Sequence, residues 1–91
     1  MQLKWTSKAN ADLLYLHGIL AVSDRQAAAR AAHMLVKAPE VLLGHPDLGE
    51  KIFAFEPRDI RRLLGGRYEF RYEIRGATLY ILRLWHTQEV R

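Results

Sequence analysis

The residues best suited to chemistry lie near the end of the chain, where Arg83 and His86 belong to an apolar, strand-forming run over residues 78–86. A histidine can accept or donate a proton near neutral pH. An arginine offers a planar fork of donors that fits a phosphate or a carboxylate. The run predicts a well-covered strand that delivers both side chains to a surface. With a period of two they point to opposite faces, unless a bulge intervenes.

Arginine is concentrated in the second half of the chain. From residue 58 to the end there are eight arginines and no lysine. They are Arg58, Arg61, Arg62, Arg67, Arg71, Arg75, Arg83 and Arg91. The whole chain has a formal net charge of +4. This balance predicts an acidic partner, either nucleic acid or protein, although arginine-rich composition can also arise without a function.

Length and composition exclude several classes of protein. The 91 residues predict a single domain covering residues 1–91. The chain has no cysteine, which excludes a disulfide framework and a thiolate metal site, and the residues around His45 lack metal-ligand spacing. We expect neither a metal nor a cofactor. No run is apolar enough for a signal peptide or a membrane span, so we expect a cytoplasmic protein without a membrane partner.

The first half of the chain predicts a short strand followed by two helices. Residues 2–5 alternate polar and apolar, and Thr6 and Ser7 are candidate N-caps. The apolar stripe of the first helix is predicted from Leu13, Leu16, Ile19 and Leu20, with Ala9 leading in and Asp12 off the stripe. Ser23-Asp24 then offers a new cap, and an alanine-rich second helix follows over residues 25–37, before Pro39. The short link between the helices predicts an antiparallel hairpin.

The second half predicts a loop over residues 39–49 and then β-strands. Strands are predicted at residues 51–55, 59–64, 67–74 and 78–86. Gly65-Gly66 predicts a type I′ turn. In the strand predicted at residues 67–74, the period of two places Tyr68, Phe70, Tyr72 and Ile74 on one face and Arg67, Glu69, Arg71 and Glu73 on the other. The predicted class is α+β: a short N-terminal strand and an antiparallel helical hairpin packed on a three- to four-stranded antiparallel sheet.

Several short segments, in this order and spacing, resemble the RelE/ParE superfamily of toxins from bacterial type II toxin–antitoxin systems. They are Leu3-Lys4-Trp5, Ala11-Asp12-Leu13, His45-Pro46-Asp47-Leu48-Gly49, Arg61-Arg62-Leu63, Tyr68-Glu69-Phe70-Arg71-Tyr72 and Ile81-Leu82-Arg83-Leu84-Trp85-His86. The resemblance covers the whole chain. It implies a small α+β fold, a location in the bacterial cytoplasm, and a cognate antitoxin that neutralises the toxin with an acidic, partly disordered segment.

The resemblance implies two possible activities. RelE-like members cleave messenger RNA in the ribosome, which requires a proton acceptor, a proton donor and cations around the phosphate. ParE-like members inhibit DNA gyrase by protein–protein contact. If the chain is a nuclease, the resemblance assigns His86, Arg83 and Arg61 to catalysis, with Glu50 as a candidate base. Phosphate or partner contacts then fall to Arg62, Arg67 and Arg71.

Glu69 favours the gyrase inhibitor over the nuclease. Nuclease members commonly have an arginine three residues before the tyrosine that matches Tyr72, and a carboxylate there repels a phosphate. We therefore expect a ParE-like toxin without enzymatic activity, with the ribosome-dependent endoribonuclease as the alternative. A binding module that has lost its activity is a third interpretation. The face that carries Glu69 is then either a solvated face with weak ion pairs or the groove for the antitoxin.

Overall fold

The computed structural model describes residues 1–88, so Arg91 lies outside the described residues. The strands are β1 (Gln2–Trp5), β2 (Glu50–Lys51), β3 (Asp59–Gly65), β4 (Tyr68–Arg75) and β5 (Thr78–His86). The helices are α1 (Ser7–Ser23) and α2 (Arg25–Lys37), and 3-10 helical turns occupy Ala38–Leu43 and Phe53–Phe55. The α+β class, the helical hairpin and the strands at the end of the chain are confirmed.

The sheet has five strands in the order β1-β5-β4-β3-β2, rather than the three or four predicted. The difference arises from β1, which pairs in parallel with β5, from Gln2 opposite Thr78 to Trp5 opposite Ile81. The other pairs are antiparallel. The sheet is therefore mixed. Because β5 lies between β1 and β4, the prediction of a well-covered terminal strand is confirmed.

Two predicted segments differ in their local structure. The strand predicted at residues 51–55 ends after Lys51, because the chain turns after Ile52 and the Phe55 amide donates to the Ile52 carbonyl at 3.2 Å. The predicted loop at residues 39–49 begins as a 3-10 helix, which Pro39 helps to start. Within that helix Leu42 is fully buried and anchors it to the core.

The hairpin turn between β3 and β4 is not the predicted type I′. Gly65 pairs with Tyr68, and of the two residues between them only Gly66 has a positive φ, of 60°. A single positive φ at the first central position is the type II′ pattern, which needs glycine there alone. The link between β4 and β5 repeats this pattern, with Gly76 at φ 59°.

The first helix is attached to β5 at its N-terminus. The Thr6 hydroxyl accepts from the Ala9 amide at 3.2 Å and donates to the Ile81 carbonyl at 2.9 Å. One side chain thus caps α1 and joins it to the terminal strand. The caps predicted from Thr6 and Asp24 are confirmed, since Asp24 accepts from the Ala27 amide at 3.0 Å and starts α2.

The core lies between the helical hairpin and the sheet. Its buried residues are Ala9, Leu16, Leu35, Leu42, Phe70, Tyr72, Leu79, Ile81 and Leu84. The face predicted from the period of β4 is confirmed. The stripe predicted for α1 is partly wrong, because Ile19 is 50% exposed whereas Asp12 is only 7% exposed. The rotation of α1 is therefore set by a polar contact that the apolar stripe does not reveal.

A buried tyrosine hydroxyl holds the loop that precedes β2. The Tyr72 hydroxyl accepts a hydrogen bond from the Gly49 amide at 2.8 Å and donates one to the Pro46 carbonyl at 2.7 Å. Burial raises the pKa of the Tyr72 hydroxyl, although the bond from Gly49 acts in the opposite direction. A Cβ on residue 49 would stand 2.5 Å from the Arg62 carbonyl oxygen, so only glycine fits this approach.

Replacing Tyr72 by phenylalanine should destabilise the protein. Tyr72→Phe leaves the Gly49 amide and the Pro46 carbonyl without their partner, which costs about 1–3 kcal/mol. Urea unfolding followed by circular dichroism measures the loss. Tyr80→Phe is the matched control on the neighbouring strand, because the Tyr80 hydroxyl has no hydrogen bond within residues 1–88. Equal effects of the two substitutions would contradict this role for Tyr72.

Candidate functional site

The sheet face opposite the helices carries three arginines on adjacent strands. Arg62 of β3 lies opposite Arg71 of β4, and Arg71 lies opposite Arg83 of β5. We call these three residues the arginine row. Like charges placed directly opposite one another on neighbouring strands are destabilising. Each guanidinium therefore needs a neighbouring group that offsets this repulsion, and Arg83 and Arg71 have different ones.

Asp12 neutralises Arg83. The Arg83 Nε donates to Asp12 Oδ2 at 2.8 Å, and a second guanidinium nitrogen donates to Oδ1 at 3.1 Å. The hydrogen bond to Asp12 holds the pKa of Arg83 above its usual range. Asp12 Oδ2 also accepts from the Leu84 amide at 2.9 Å. The buried carboxylate thus binds both the side chain of Arg83 and the backbone amide of Leu84.

Aromatic rings cover Arg71. Its guanidinium carbon stands 5.0 Å from the centre of the Trp85 ring and 5.6 Å from that of Phe55, within range of cation–π attraction. The nearest carboxylate, that of Glu69, is 4.0 Å away. Glu69 therefore lies beside Arg71 on the face where a nuclease would place an additional cation. Trp85 is itself buried, with 8% of its surface exposed.

Two donors of the arginine row are buried without a partner. The Nε atoms of Arg62 and Arg71 have no hydrogen bond to any part of the chain that the structure describes. Buried donors are nearly always paired in folded proteins, and a guanidinium Nε suits an oxygen anion. The unmet hydrogen-bonding capacity thus lies in Arg62, at one end of the row, and in Arg71, at its middle.

An ion pair closes one end of this face. Arg58 donates twice to Glu73, at 2.9 and 2.8 Å, and Glu73 is only 5% exposed. The bond from Arg58 holds the pKa of Glu73 below its ordinary value. The interpretation of Glu69, Arg71 and Glu73 as a solvated face is therefore wrong at Glu73. The side chain of Arg58, which precedes β3, covers Glu73. The alternation of residues within β4 does not predict this contact.

A cavity of about 510 Å³ connects this face with the start of α1. Four cationic side chains line it: Lys8, Arg58, Arg71 and Arg83. Phe55 and Ile60 provide apolar walls. A concave surface with this lining attracts anions, and it adds contact area for an apolar side chain next to an acidic one.

The candidate nuclease residues do not converge. His86 lies opposite Tyr68, with ring centres 5.4 Å apart, and its Nδ1 accepts from the Gln88 amide at 3.1 Å. It faces an apolar groove beside α1 that Tyr15 and Ile19 also line. A bulge does occur in β5, at Leu82, but it precedes Arg83 and leaves the alternation from Arg83 to His86 intact. These two side chains belong to different faces, as their spacing predicts.

Arg61 has a structural role on the helix side of the sheet. It lies opposite the buried Tyr72, donates to Asp59 at 2.9 Å and also binds the Asp47 and Gly49 carbonyls. Arg61 thus holds the same loop as the tyrosine hydroxyl. Arg67 lies exposed in the hairpin turn, and Glu50 stands opposite Arg62 at the far edge of the sheet. Of the predicted site residues, Arg62, Arg71 and Arg83 lie side by side, with Glu50 opposite Arg62, whereas Arg61, Arg67 and His86 lie elsewhere.

The fold and this basic sheet face define a small α+β toxin of the RelE/ParE superfamily. The chain matches the family model "ParE toxin of type II toxin-antitoxin system, parDE" over residues 3–91. It therefore belongs to the ParE toxin family. Among solved structures it is similar to a chain of the chromosomal ParDE TA system from P. aeruginosa, with a TM-score of 0.82, 25% sequence identity and 97% of each chain covered. No curated protein matches it.

Two further observations concern the described residues, 1–88. Neither α1 nor α2 combines the length and the apolar character that crossing a membrane requires. No three histidine, aspartate or glutamate side chains in this range come close enough together to hold a metal ion.

Loss of the Asp12 carboxylate should destabilise the protein in a graded way. Asp12→Ala leaves the Arg83 charge and the Leu84 amide without their partner, at a cost of about 2 kcal/mol, because Arg83 remains partly exposed to water. Asp12→Asn keeps an acceptor for the amide and should cost less. The midpoint temperatures of thermal unfolding should rank the wild type highest, Asp12→Asn next and Asp12→Ala lowest. An alanine variant as stable as the wild type would contradict the role of Asp12.

The ion pair between Arg58 and Glu73 should make stability depend on pH. Because folding lowers the pKa of Glu73 below its ordinary value of 4.5, the contribution is present above that value and disappears as the pH falls through the lowered pKa. Glu73→Gln should lower the urea midpoint at pH 7, and the difference from the wild type should shrink as the pH falls and wild-type Glu73 becomes protonated. Glu40→Gln, at an exposed site, is the control. A difference that is independent of pH would contradict this assignment.

Proposed function

We propose that this ParE-family chain arrests growth by inhibiting DNA gyrase through protein–protein contact, and that a cognate antitoxin neutralises it. The observation that carries the proposal is the separation of the residues that RNA cleavage would need. His86 belongs to one face of the sheet and the arginine row to the other, with Glu69 next to Arg71. A proton donor must lie within hydrogen-bond reach of the group it serves.

The antitoxin contact is proposed to be the arginine row. An acidic segment laid across β3, β4 and β5 would place carboxylates beside the guanidinium groups of Arg62 and Arg71, whose Nε atoms have no hydrogen-bond partner among the described residues. Charge-assisted hydrogen bonds to arginine are stronger than neutral ones. The cavity beside Phe55 would take an apolar side chain of the same segment. The net charge of +4 also favours an acidic partner.

The test of the target uses purified protein in two assays. In a supercoiling assay with DNA gyrase and relaxed plasmid, the protein should inhibit the formation of supercoiled product. In a translating extract, a reporter messenger RNA should remain intact. Codon-spaced cleavage that His86→Ala abolishes, with supercoiling unaffected, would instead establish the endoribonuclease. A protein inactive in both assays would leave only a binding module.

The test of the antitoxin contact uses charge-removing substitutions in the arginine row. Arg62→Gln and Arg71→Gln should each weaken binding of the antitoxin by roughly tenfold or more, because each removes a charge-assisted bond. The antitoxin is the acidic-tailed product of the reading frame expected next to this gene, and titration calorimetry measures its affinity. Arg30→Gln, exposed on α2, is the matched control. Equal affinities for all variants would reject the row as the contact.

A further inference from the structure

The outward face of α1 is apolar along three turns. We call this surface the α1 outer face, and its members are Ala11, Leu14, Tyr15, Gly18 and Val22, all exposed. Val22 is 88% exposed and Leu14 is 71% exposed. The buried residues Ala9 and Leu16 lie on the opposite side of the helix. A helix on the surface of a globular protein is ordinarily polar on its solvent side, so this face is unusual.

No charge interrupts this face. The charged residues of α1 are Lys8, which lies three residues before Ala11 and bounds the face at its N-terminal end, and Asp12, which is buried against Arg83. The spacing of residues 11, 15, 18 and 22 alternates steps of four and three, as in the seam of a pair of helices that pack along their length. The α1 outer face therefore has the pattern of a helix–helix interface, and no helix among residues 1–88 packs on it.

Gly18 supplies an independent observation. It lies in the middle of α1, where glycine is less stable than alanine. A Cβ built there has no atom within 4 Å, so nothing in the fold requires the side chain to be absent. Glycine on a helix surface allows another backbone or a large side chain to approach closely. The missing side chain at residue 18 therefore points to a partner outside the chain.

We propose that the partner is a second copy of this chain, bound through an antiparallel contact between the two α1 helices. A twofold axis between residues 15 and 18 places Tyr15 of each copy over Gly18 of the other, and Val22 of each over Ala11 of the other. The two large residues of the seam, Tyr15 and Val22, then each meet a small one, while Leu14, at the margin of the face, lies opposite Ile19 of the other copy. Such self-complementarity is the requirement for an isologous dimer.

The dimer should be weak and should respond to salt in a characteristic direction. One pair of helices buries less surface than the roughly 1,600 Å² of a standard interface, so we expect reversible exchange. The seam itself carries no charge, while each copy has a net charge of +4. Added salt screens the repulsion between the copies and should strengthen association. A contact held by opposite charges would weaken instead.

The experiment is sedimentation equilibrium of the purified full chain from about 1 µM to 1 mM, at low and high salt. A monomer–dimer equilibrium that tightens with salt is the expected result. Gly18→Leu should abolish the dimer while the melting temperature stays the same or rises, because leucine favours helix and open space surrounds the site. Val22→Ser should weaken the dimer at least tenfold. Val36→Ser, at an exposed apolar residue of α2, should leave it unchanged.

Two further variants test the register. In Tyr15→Gly/Gly18→Tyr the large and small residues exchange places, so the antiparallel pair again matches and the dimer should return, whereas Tyr15→Gly alone should lose it. The chain has no cysteine, so single thiols can be introduced cleanly. Mixed Ala11→Cys and Val22→Cys chains should be cross-linked by a short bifunctional thiol reagent. Neither variant should cross-link with itself, since like positions lie roughly 16 Å apart along the axis.

Three results would overturn the proposal. A monomer throughout the concentration range at high salt excludes a second copy as the occupant. A dimer that Gly18→Leu and Val22→Ser leave intact places the contact on another surface. Cross-links within Val22→Cys alone would indicate parallel helices, which do not place Tyr15 over Gly18.

Discussion

The contact between the Asp12 carboxylate and β5 is the constraint on which the rest of the structure depends. Strand β1 ends at Trp5, opposite Ile81, so the second half of β5 has no neighbouring strand on that side. There the Asp12 carboxylate accepts a hydrogen bond from the Leu84 amide and binds the guanidinium group of Arg83. A buried carboxylate is tolerated only with such partners. The contact also fixes the rotation of α1, which directs Ala9 and Leu16 to the core and leaves Gly18 and Val22 in solvent.

The same contact makes a row of three arginines possible. Asp12 neutralises Arg83, and the rings of Trp85 and Phe55 cover Arg71. The Nε atoms of Arg62 and Arg71 nevertheless remain without a hydrogen bond in the described part of the chain. A buried donor without a partner costs free energy that a binding anion can recover. The folded chain therefore retains unfavourable electrostatics at the position where an acidic partner would relieve them.

The sheet also explains why family membership and activity are separate questions. A strand presents alternate residues to opposite faces, so Arg83 and His86 cannot serve one substrate atom from the same unbroken strand. A contact surface made of the arginines does not need His86 beside it. Binding through a shaped, charged surface requires only complementarity, whereas proton transfer requires hydrogen-bond reach.

The sequence by itself determined what depends on neighbours along the chain. The alternation from Tyr68 to Ile74, the caps at Thr6 and Asp24 and the turn glycines predict the elements, and their order identifies the family. The burial of Asp12 and Glu73 was decided only by the tertiary structure, because Asp12 meets Arg83 across 71 residues and Glu73 meets Arg58 across 15. Residue patterns report local periodicity, and they do not report which distant partner will neutralise a charge. For the same reason the parallel pairing of β1 with β5, and the outward position of Ile19, followed only from the packed structure.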